Sequence, residues 1–343
     1  MTYIKNAVAF LMPHYASDDH GNVEQLKKTI QSIWEQSDDD WHLVIVDDAS
    51  PQNDALTYLR NLQAEYPEKI TVIFNSLNRG PGHCRNVGIQ WAHEQGIPIS
   101  MYLDSDDICH KDRVMVTREI FSQNDSASVV YSTFRVIDEN DSIVEEEKLS
   151  PSIREILDSH KNTPPQGKNA WIEIGTERGY TNLTSATSVR TELALEFLFP
   201  EERVSEDAHA WYRYSAGGNE FVYTDKIPTL YRIPSHTEGS ASRTREGGKY
   251  SFYLKMAEVD EDGFLKAVDL ALNNGKVKET QVSDILIKFY LKQCETMYLE
   301  NEIKIAKLQM MSAMRISKEK TLEFSKNYQC RQLAMQKIPL ATA

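Results

Sequence analysis

The chain has 343 residues, with 38 Lys and Arg against 51 Asp and Glu and a formal net charge of −13. That length accommodates one large α/β domain with an appendage, or two modest domains, and the acidic balance argues against a general nucleic-acid binder while suiting a protein that recruits cations. The four cysteines, Cys84, Cys109, Cys294 and Cys330, have neither CxxC spacing nor histidines at zinc-finger intervals, so reduced thiols are expected rather than a zinc site or a disulfide framework.

The opening MTYIKNAVAFLMPHY carries an apolar run too short for a secretory leader, and no stretch of about 18 apolar residues occurs, so a cytoplasmic setting is expected. AVAFLM (7–12) ends at Pro13, as a strand buried on both faces would. Asn22 stands where an N-cap would, Gln25 follows three residues later, and Val23, Leu26, Ile30, Ile33 and Trp34 recur at helical spacing. LVIV (43–46) is a second buried strand that stops at Asp47 and Asp48, and ITVIF (70–74) a third. The run from Ile99 to Leu103 is a fourth, preceded by the turn NRGPG and a helix from Asn86 to Glu94. Strands alternating with helices at these intervals predict a parallel sheet with crossover helices.

A further apolar run covers Val129 to Ile137, and DENDSIVEEEKLSPS then predicts an exposed excursion. Residues 160–182 read as loop-rich and Thr191 to Phe197 as a helix. Residues 235–249 lack periodicity and suggest a mobile loop or linker. Beyond them the pattern is helical, with Ile287, Tyr290, Leu291, Cys294, Tyr298 and Ile305 along one face. The basic excess after Ile303 suits peripheral contact with the inner face of an anionic membrane, or a homodimer through these helices; the plainer expectation is an extension packed on the main domain.

Polar residues follow each early strand: Pro13-His14-Tyr15, Asp47-Asp48, and Asp104 to Asp107 in YLDSDDIC. In an open parallel sheet ligands bind beyond the carboxyl ends of the strands, so these segments can meet in one crevice. Crowded carboxylates oppose one another's ionisation unless a cation, a cap or solvent compensates. The turn after the first strand lacks GxGxxG, and neither GxxxxGK[ST] nor GxSxG occurs, which disfavours a dinucleotide site, a P-loop and a nucleophile elbow. DSDDICHKD fails as a calcium loop because Cys109 stands where glycine is required. The surviving pair Asp104-x-Asp106 suits Mg2+ or Mn2+ shared with substrate phosphates and water, or else an acid cluster at the start of the helix near Lys111.

The order of these segments resembles family 2 glycosyltransferases of the GT-A fold, which move a sugar from a nucleotide donor to an acceptor hydroxyl with inversion. MPHY resembles that family's opening Pro-Thr-Tyr turn, LVIVDDASPQND its Asp-Asp-Gly-Ser strand end, NRGPGHCRNVGIQWA its Asn, Gly and Ala-Arg-Asn stretch, and YLDSDD its DxD signature. VSEDAHAWYR resembles the segment that supplies the base, and YRIPSHTEGSAS the late Tyr-Arg, His and Ser pattern. Ala49 stands for the usual glycine, His14 for threonine and Cys84 for alanine, and the Gln-x-x-Arg-Trp motif of processive members is absent after Glu206-Asp207.

The resemblance implies a GT-A type, Rossmann-like, mostly parallel α/β sheet flanked by helices over residues 1–242, with a helical C-terminal extension over 243–343. It implies single-sugar transfer from a nucleotide-sugar, UDP-sugar favoured, to a carbohydrate or glycoconjugate acceptor, with Mn2+ or Mg2+ held by Asp106 first and Asp104 next. Asp207 matches the base position, and Glu206 would orient it or the acceptor. Asp48, with Asp47 as the lesser choice, would accept from the nucleobase. The Pro13-His14-Tyr15 backbone, Arg85, Asp104 and Ser105 would border the donor, Arg85 being equally readable as an ion-pair partner of the carboxylates. Asp107 is expected to be structural, and His236 to approach the metal or diphosphate from a closing loop. A nucleotidyltransferase, or an inactive nucleotide-sugar-binding module on the same fold, are the rival readings.

Overall fold

The computed structural model describes residues 8–17, 23–234 and 247–335. Asn22 and His236, and most of the 235–249 segment, lie outside the described residues. The first half alternates as expected: β1 (Val8–His14), α1 (Val23–Trp34), β2 (Trp41–Asp47), α2 (Asn53–Glu65), β3 (Ile70–Phe74), α3 (Pro81–Glu94), β4 (Ile99–Tyr102), α4 (Arg113–Gln123) and β5 (Ala127–Ile137). There follow α5 (Pro151–Asn162), α6 (Ala170–Glu173) with a wide turn over Ile174–Arg178, β6 (Thr187–Arg190), α7 (Thr191–Glu196), α8 (Glu206–Gly217) and β7 (Glu220–Arg232). The C-terminal part is helical: α9 (Lys249–Asn273), α10 (Glu279–Leu299), α11 (Ile303–Ile316), α12 (Lys318–Phe324) and α13 (Arg331–Met335).

The seven strands form one sheet in the order β3-β2-β1-β4-β6-β5-β7. All neighbours are parallel except β6, which runs antiparallel to both β4 and β5. Side chains alternate across β1: Val8, Phe10 and Met12 join a cluster under α1 and α4, while Ala9 and Leu11 face a second cluster on the other side. This explains the uninterrupted apolar run, since a strand covered on both faces has no solvent side. β1 extends through Pro13 and His14, paired with Val46 and Asp47, so His14 is carried to the strand's very end.

α3 starts five residues earlier than the sequence pattern predicts, at Pro81, whose fixed φ and missing N–H suit a first helical position. β6 has no counterpart in the sequence pattern: TSVR is short and polar at three of its four positions, and its burial is made good by hydrogen bonds such as Thr187 Oγ1 to the Leu183 carbonyl at 2.7 Å. Within 160–182, expected as loop, α6 and the turn after it are ordered against the C-terminal helices. A Cβ on Gly175 would stand 2.2 Å from the Phe264 ring.

The C-terminal helices share the larger core cluster with the sheet. Trp171, Trp211, Phe264, Phe289, Leu291, Ile305 and Met310 all belong to it, and Phe264 stacks on Phe289 at 4.1 Å between ring centroids. Ile287, Leu291, Cys294 and Ile305 are fully buried, so the apolar stripe of the extension packs on the protein's own core. No helix among the described residues is long and apolar enough to cross a membrane.

Candidate functional site

The carboxyl ends of β1, β2 and β4 lie side by side, and the segments that follow them meet there. After β2, Asp47 is buried and accepts from both the backbone N–H and the hydroxyl of Ser50, closing a tight turn. Ala49 between them has φ 60°, the left-handed region that a glycine enters freely and an L residue enters at a cost of about 1–2 kcal/mol. Asp48 accepts from the backbone N–H of Arg79 at 3.0 Å and of Gly80 at 2.7 Å, and from the Asn75 amide at 3.1 Å. Both carboxylates therefore hold loops of the chain itself. Asp48, the expected nucleobase acceptor, is held by these donors at the entry to α3, beside the end of β2.

After β4, the turn from Asp104 to Asp107 is pinned from several directions. The Asp104 N–H donates to Ser185 Oγ at 2.9 Å, the Thr29 hydroxyl donates to the Ser105 carbonyl at 3.1 Å, and Arg232 Nε donates to the Asp106 carbonyl at 2.8 Å. Asp107 is 0% exposed and accepts from the Arg232 N–H at 2.8 Å. Burial first, then the neighbouring Asp106 and Asp104, push its carboxyl well above the usual carboxylate range. Asp107 is thus a structural member of the turn, while Asp104 and Asp106 stay partly accessible. His14 Nδ1 lies 3.3 Å from Ser105 Oγ, and its buried Nε2 has no protein partner among the described residues. Burial holds this histidine below its ordinary pKa against the opposing pull of Asp47.

The third segment arrives at the start of α8. Arg85, 3% exposed on α3, donates from Nη2 to Asp104 at 2.7 Å and from Nη1 to Glu206 at 2.9 Å, and packs over the Phe199 ring. Of the two readings open for Arg85, the ion-pair one describes the structure. Glu206 is buried; that burial and the Asp207 charge push it up to about 7, with Arg85 pulling the other way. Asp207 accepts from the Tyr180 hydroxyl and from the Ala208 N–H at 2.8 Å. Its carboxyl is raised chiefly by burial, and Tyr180 and Arg85 restrain the rise.

One connected set therefore includes His14, Ser105, Asp104, Arg85, Glu206, Asp207 and Tyr180. Pro13 and Tyr15 border it at the end of β1, half-buried. Sequence reasoning misses Tyr180 because it sits in an aperiodic stretch; its only signal is proximity to the turn at Gly179. Arg232 stands out in the sequence only as part of the Tyr-Arg pattern, and Ser185 gives no signal.

Among the described residues, no group of three or more His, Cys, Asp or Glu side chains is gathered so as to hold a metal ion alone. Two accessible carboxylates with hard oxygen donors, Asp104 and Asp106, nevertheless fit Mg2+ or Mn2+, which bind through one or two carboxylates and take their other ligands from phosphate and water.

Comparison with known proteins agrees with this geometry. The model of glycosyl transferase family 2 matches residues 11–182. An uncharacterized glycosyltransferase of Nostoc sp. is 32% identical over 252 residues, 70% of this chain and 71% of that protein. Among solved structures, S. aureus TarS 1–349 in complex with UDP-GlcNAc superposes with a TM-score of 0.52 at 15% identity, covering 94% of this chain and 91% of that one. The mannosyltransferase PcManGT from Pyrobaculum calidifontis, in complex with GDP-Man and Mn2+, superposes with a TM-score of 0.54 at 13% identity, covering 96% and 86%. The sheet order, the acid turn after β4 and these matches agree: the chain has the GT-A fold and belongs to glycosyl transferase family 2.

Proposed function

We propose that this enzyme is an inverting glycosyltransferase that moves one sugar per encounter from a nucleotide-diphosphate sugar to an acceptor hydroxyl, in polysaccharide or glycoconjugate synthesis. The observation that carries the reading is Arg85, whose guanidinium joins Asp104 of the acid turn to Glu206 beside Asp207. Donor-side and acceptor-side chemistry then share one crevice.

Inversion requires the acceptor oxygen to attack from the face opposite the departing diphosphate while a base takes its proton. Asp207 is that base. Its raised pKa makes it a better proton acceptor than a solvated aspartate, and the Tyr180 hydroxyl fixes one oxygen and favours the ionised form. Glu206, tied to Arg85, orients the start of α8 and the acceptor. His14 and Ser105 line the donor side, with His14 Nδ1 and Ser105 Oγ 3.3 Å apart. A divalent ion held by Asp106 and Asp104 would supply charge neutralisation for the leaving diphosphate when bound. UDP is the favoured carrier: TarS has been solved with UDP-GlcNAc, although PcManGT has been solved with GDP-Man.

The test is Asp207→Asn, assayed with a panel of nucleotide sugars and Mn2+. Donor binding, read as a thermal shift, should persist, and release of nucleoside diphosphate coupled to sugar transfer should fall by at least about 10²-fold, the lower range for a positioned base. Undiminished transfer, or pyrophosphate as the product, overturns the reading. Asp106→Asn should raise the Mn2+ concentration needed for half-maximal activity by roughly tenfold or more. Full activity in excess chelator would remove the metal from the scheme.

A further inference from the structure

Ser205, immediately before α8, has φ 58°, a left-handed conformation that a serine rarely adopts without support. The support comes from the C-terminal extension. The Ser205 hydroxyl donates to Asp260 Oδ1 on α9, and the other oxygen of Asp260 accepts from Gln293 Nε2 on α10 at 3.1 Å. Asp260 and Gln293 are 3% and 2% exposed, and neither lies in the stretch matched by the family model. One turn along α8, His209 Nε2 meets Asp262 Oδ2 at 2.7 Å. Gly263 lets the two helices approach so closely that a Cβ there would stand 2.8 Å from the His209 Cα.

A fully buried carboxylate is an expensive way to add general stability, because desolvation opposes it and an apolar side chain would fill the space as well. What a carboxylate offers here is two acceptors with fixed directions, one for the strained residue ahead of the helix and one for the helix behind. We propose that Asp260 is a positioning residue for the catalytic pair: through Ser205 it fixes how the chain enters α8, and so where Glu206 and Asp207 stand. This rests on the reading of Asp207 as the base. It makes the extension a working part of the site, since the Ser205 hydroxyl is held from α9.

The experiment uses the full chain with Ser205→Ala, Asp260→Ala and Asp260→Asn, and Asp284→Asn as a control on an exposed ion pair elsewhere in the extension. Each is assayed for transfer kinetics and for amide hydrogen exchange over residues 205–210. Ser205→Ala and Asp260→Ala should lower kcat by about 10²-fold, the penalty for misplacing a reacting group by roughly 1 Å, with donor KM changed less than about threefold. Exchange in the first turn of α8 should quicken by about tenfold in the same variants, as local opening becomes easier. Asp260→Asn keeps one acceptor for Ser205 and should recover most of kcat, and Asp284→Asn should match the parent enzyme.

A kcat near the parent value in Ser205→Ala overturns the proposal, whether or not exchange changes, because the contact would then be structural only. A fall in kcat without faster exchange at 205–210 also overturns it, because the effect would not pass through α8. Ser205→Ala removes a single hydroxyl, so it decides the matter even if Asp260→Ala fails to fold. Retained transfer in Asp207→Asn, measured alongside, would strike the base assignment separately; the paired kcat and exchange results decide the entry to α8 on their own.

Discussion

Arg85 Nη1 donates to Glu206 Oε1 at 2.9 Å across 121 residues of sequence, in a place with almost no access to water. With its other terminal nitrogen on Asp104, this one guanidinium is the tie between α3, the acid turn and α8. Its planar fork can serve two carboxylates in fixed directions, which a lysine ammonium cannot reproduce.

Replacing Arg85 with Met should therefore be severe. Buried Glu206 loses its counter-charge, a situation that typically destabilises by about 3–5 kcal/mol, while half-exposed Asp104 loses a partner at smaller cost. Glu206, already at about 7, should be driven higher still, since Arg85 is what lowers it. Urea unfolding with matched m-values is the measurement; a loss below about 1 kcal/mol would mean the pair behaves as a solvated surface contact.

Tyr180→Phe removes the hydroxyl that donates to Asp207 and leaves the ring in place. The hydrogen bond favours the charged carboxylate, so without it Asp207 should hold its proton to higher pH. The acid limb of the pH–rate profile should move upward, while the stability loss stays near the ~1 kcal/mol typical of one hydrogen bond. An acid limb that does not move would separate Tyr180, or Asp207, from proton transfer.

Asp260 gives a stability prediction of definite sign. Burial raises its carboxyl to about 7 from an ordinary 3.8, so between these values the folded protein holds a proton that the unfolded chain has released. Stability contributed by this group is then lost as pH rises from about 4 to about 7 and is level above that, by up to roughly 4 kcal/mol. Asp260→Asn abolishes the effect. The difference in unfolding free energy between parent and variant should turn against the parent over that window, and a difference independent of pH would show an ordinary carboxyl.

Gly263→Ala should destabilise despite the better helix propensity of alanine. The gain is about 1 kcal/mol, but the added methyl meets both the Cα and the ring of His209 at 2.8 Å, and overpacking of this kind costs about 1–3 kcal/mol. A net loss is expected because a backbone atom cannot swing aside. A variant more stable than the parent would show that α9 can retreat from α8.

Much of the sheet is legible in the sequence because β1 and β2 are buried parallel strands, which write themselves as short apolar runs such as LVIV; β3, half-buried at the sheet edge, is still written in apolar and β-branched residues as ITVIF. The acid turn is legible for a related reason: Asp104 to Asp107 interrupt such a run abruptly. Asp47 and Asp48 are legible as a strand end, whereas their loop contacts are not, since only the folded chain brings Arg79 and Gly80 to Asp48. β6 is invisible because polar Thr187 and Ser188 are buried, the Thr187 hydroxyl being satisfied by the Leu183 carbonyl, which no hydropathy pattern records. Tyr180 lacks any periodic context. Asp260 is hidden in the acidic run VDEDG, which reads as a solvated helix face, although α8 and α10 cover that side chain.

The continuity between sheet and tail has a practical side. Tyr212 on α8 packs edge-on against Phe264 and Phe289, so a protein cut ahead of Lys249 would bare a cluster of large rings. Apolar ground of that extent invites self-association, which makes trimming the C-terminus a poor route to a minimal catalyst. For the same reason, chimeras that exchange this region between relatives need their junction surfaces redesigned together.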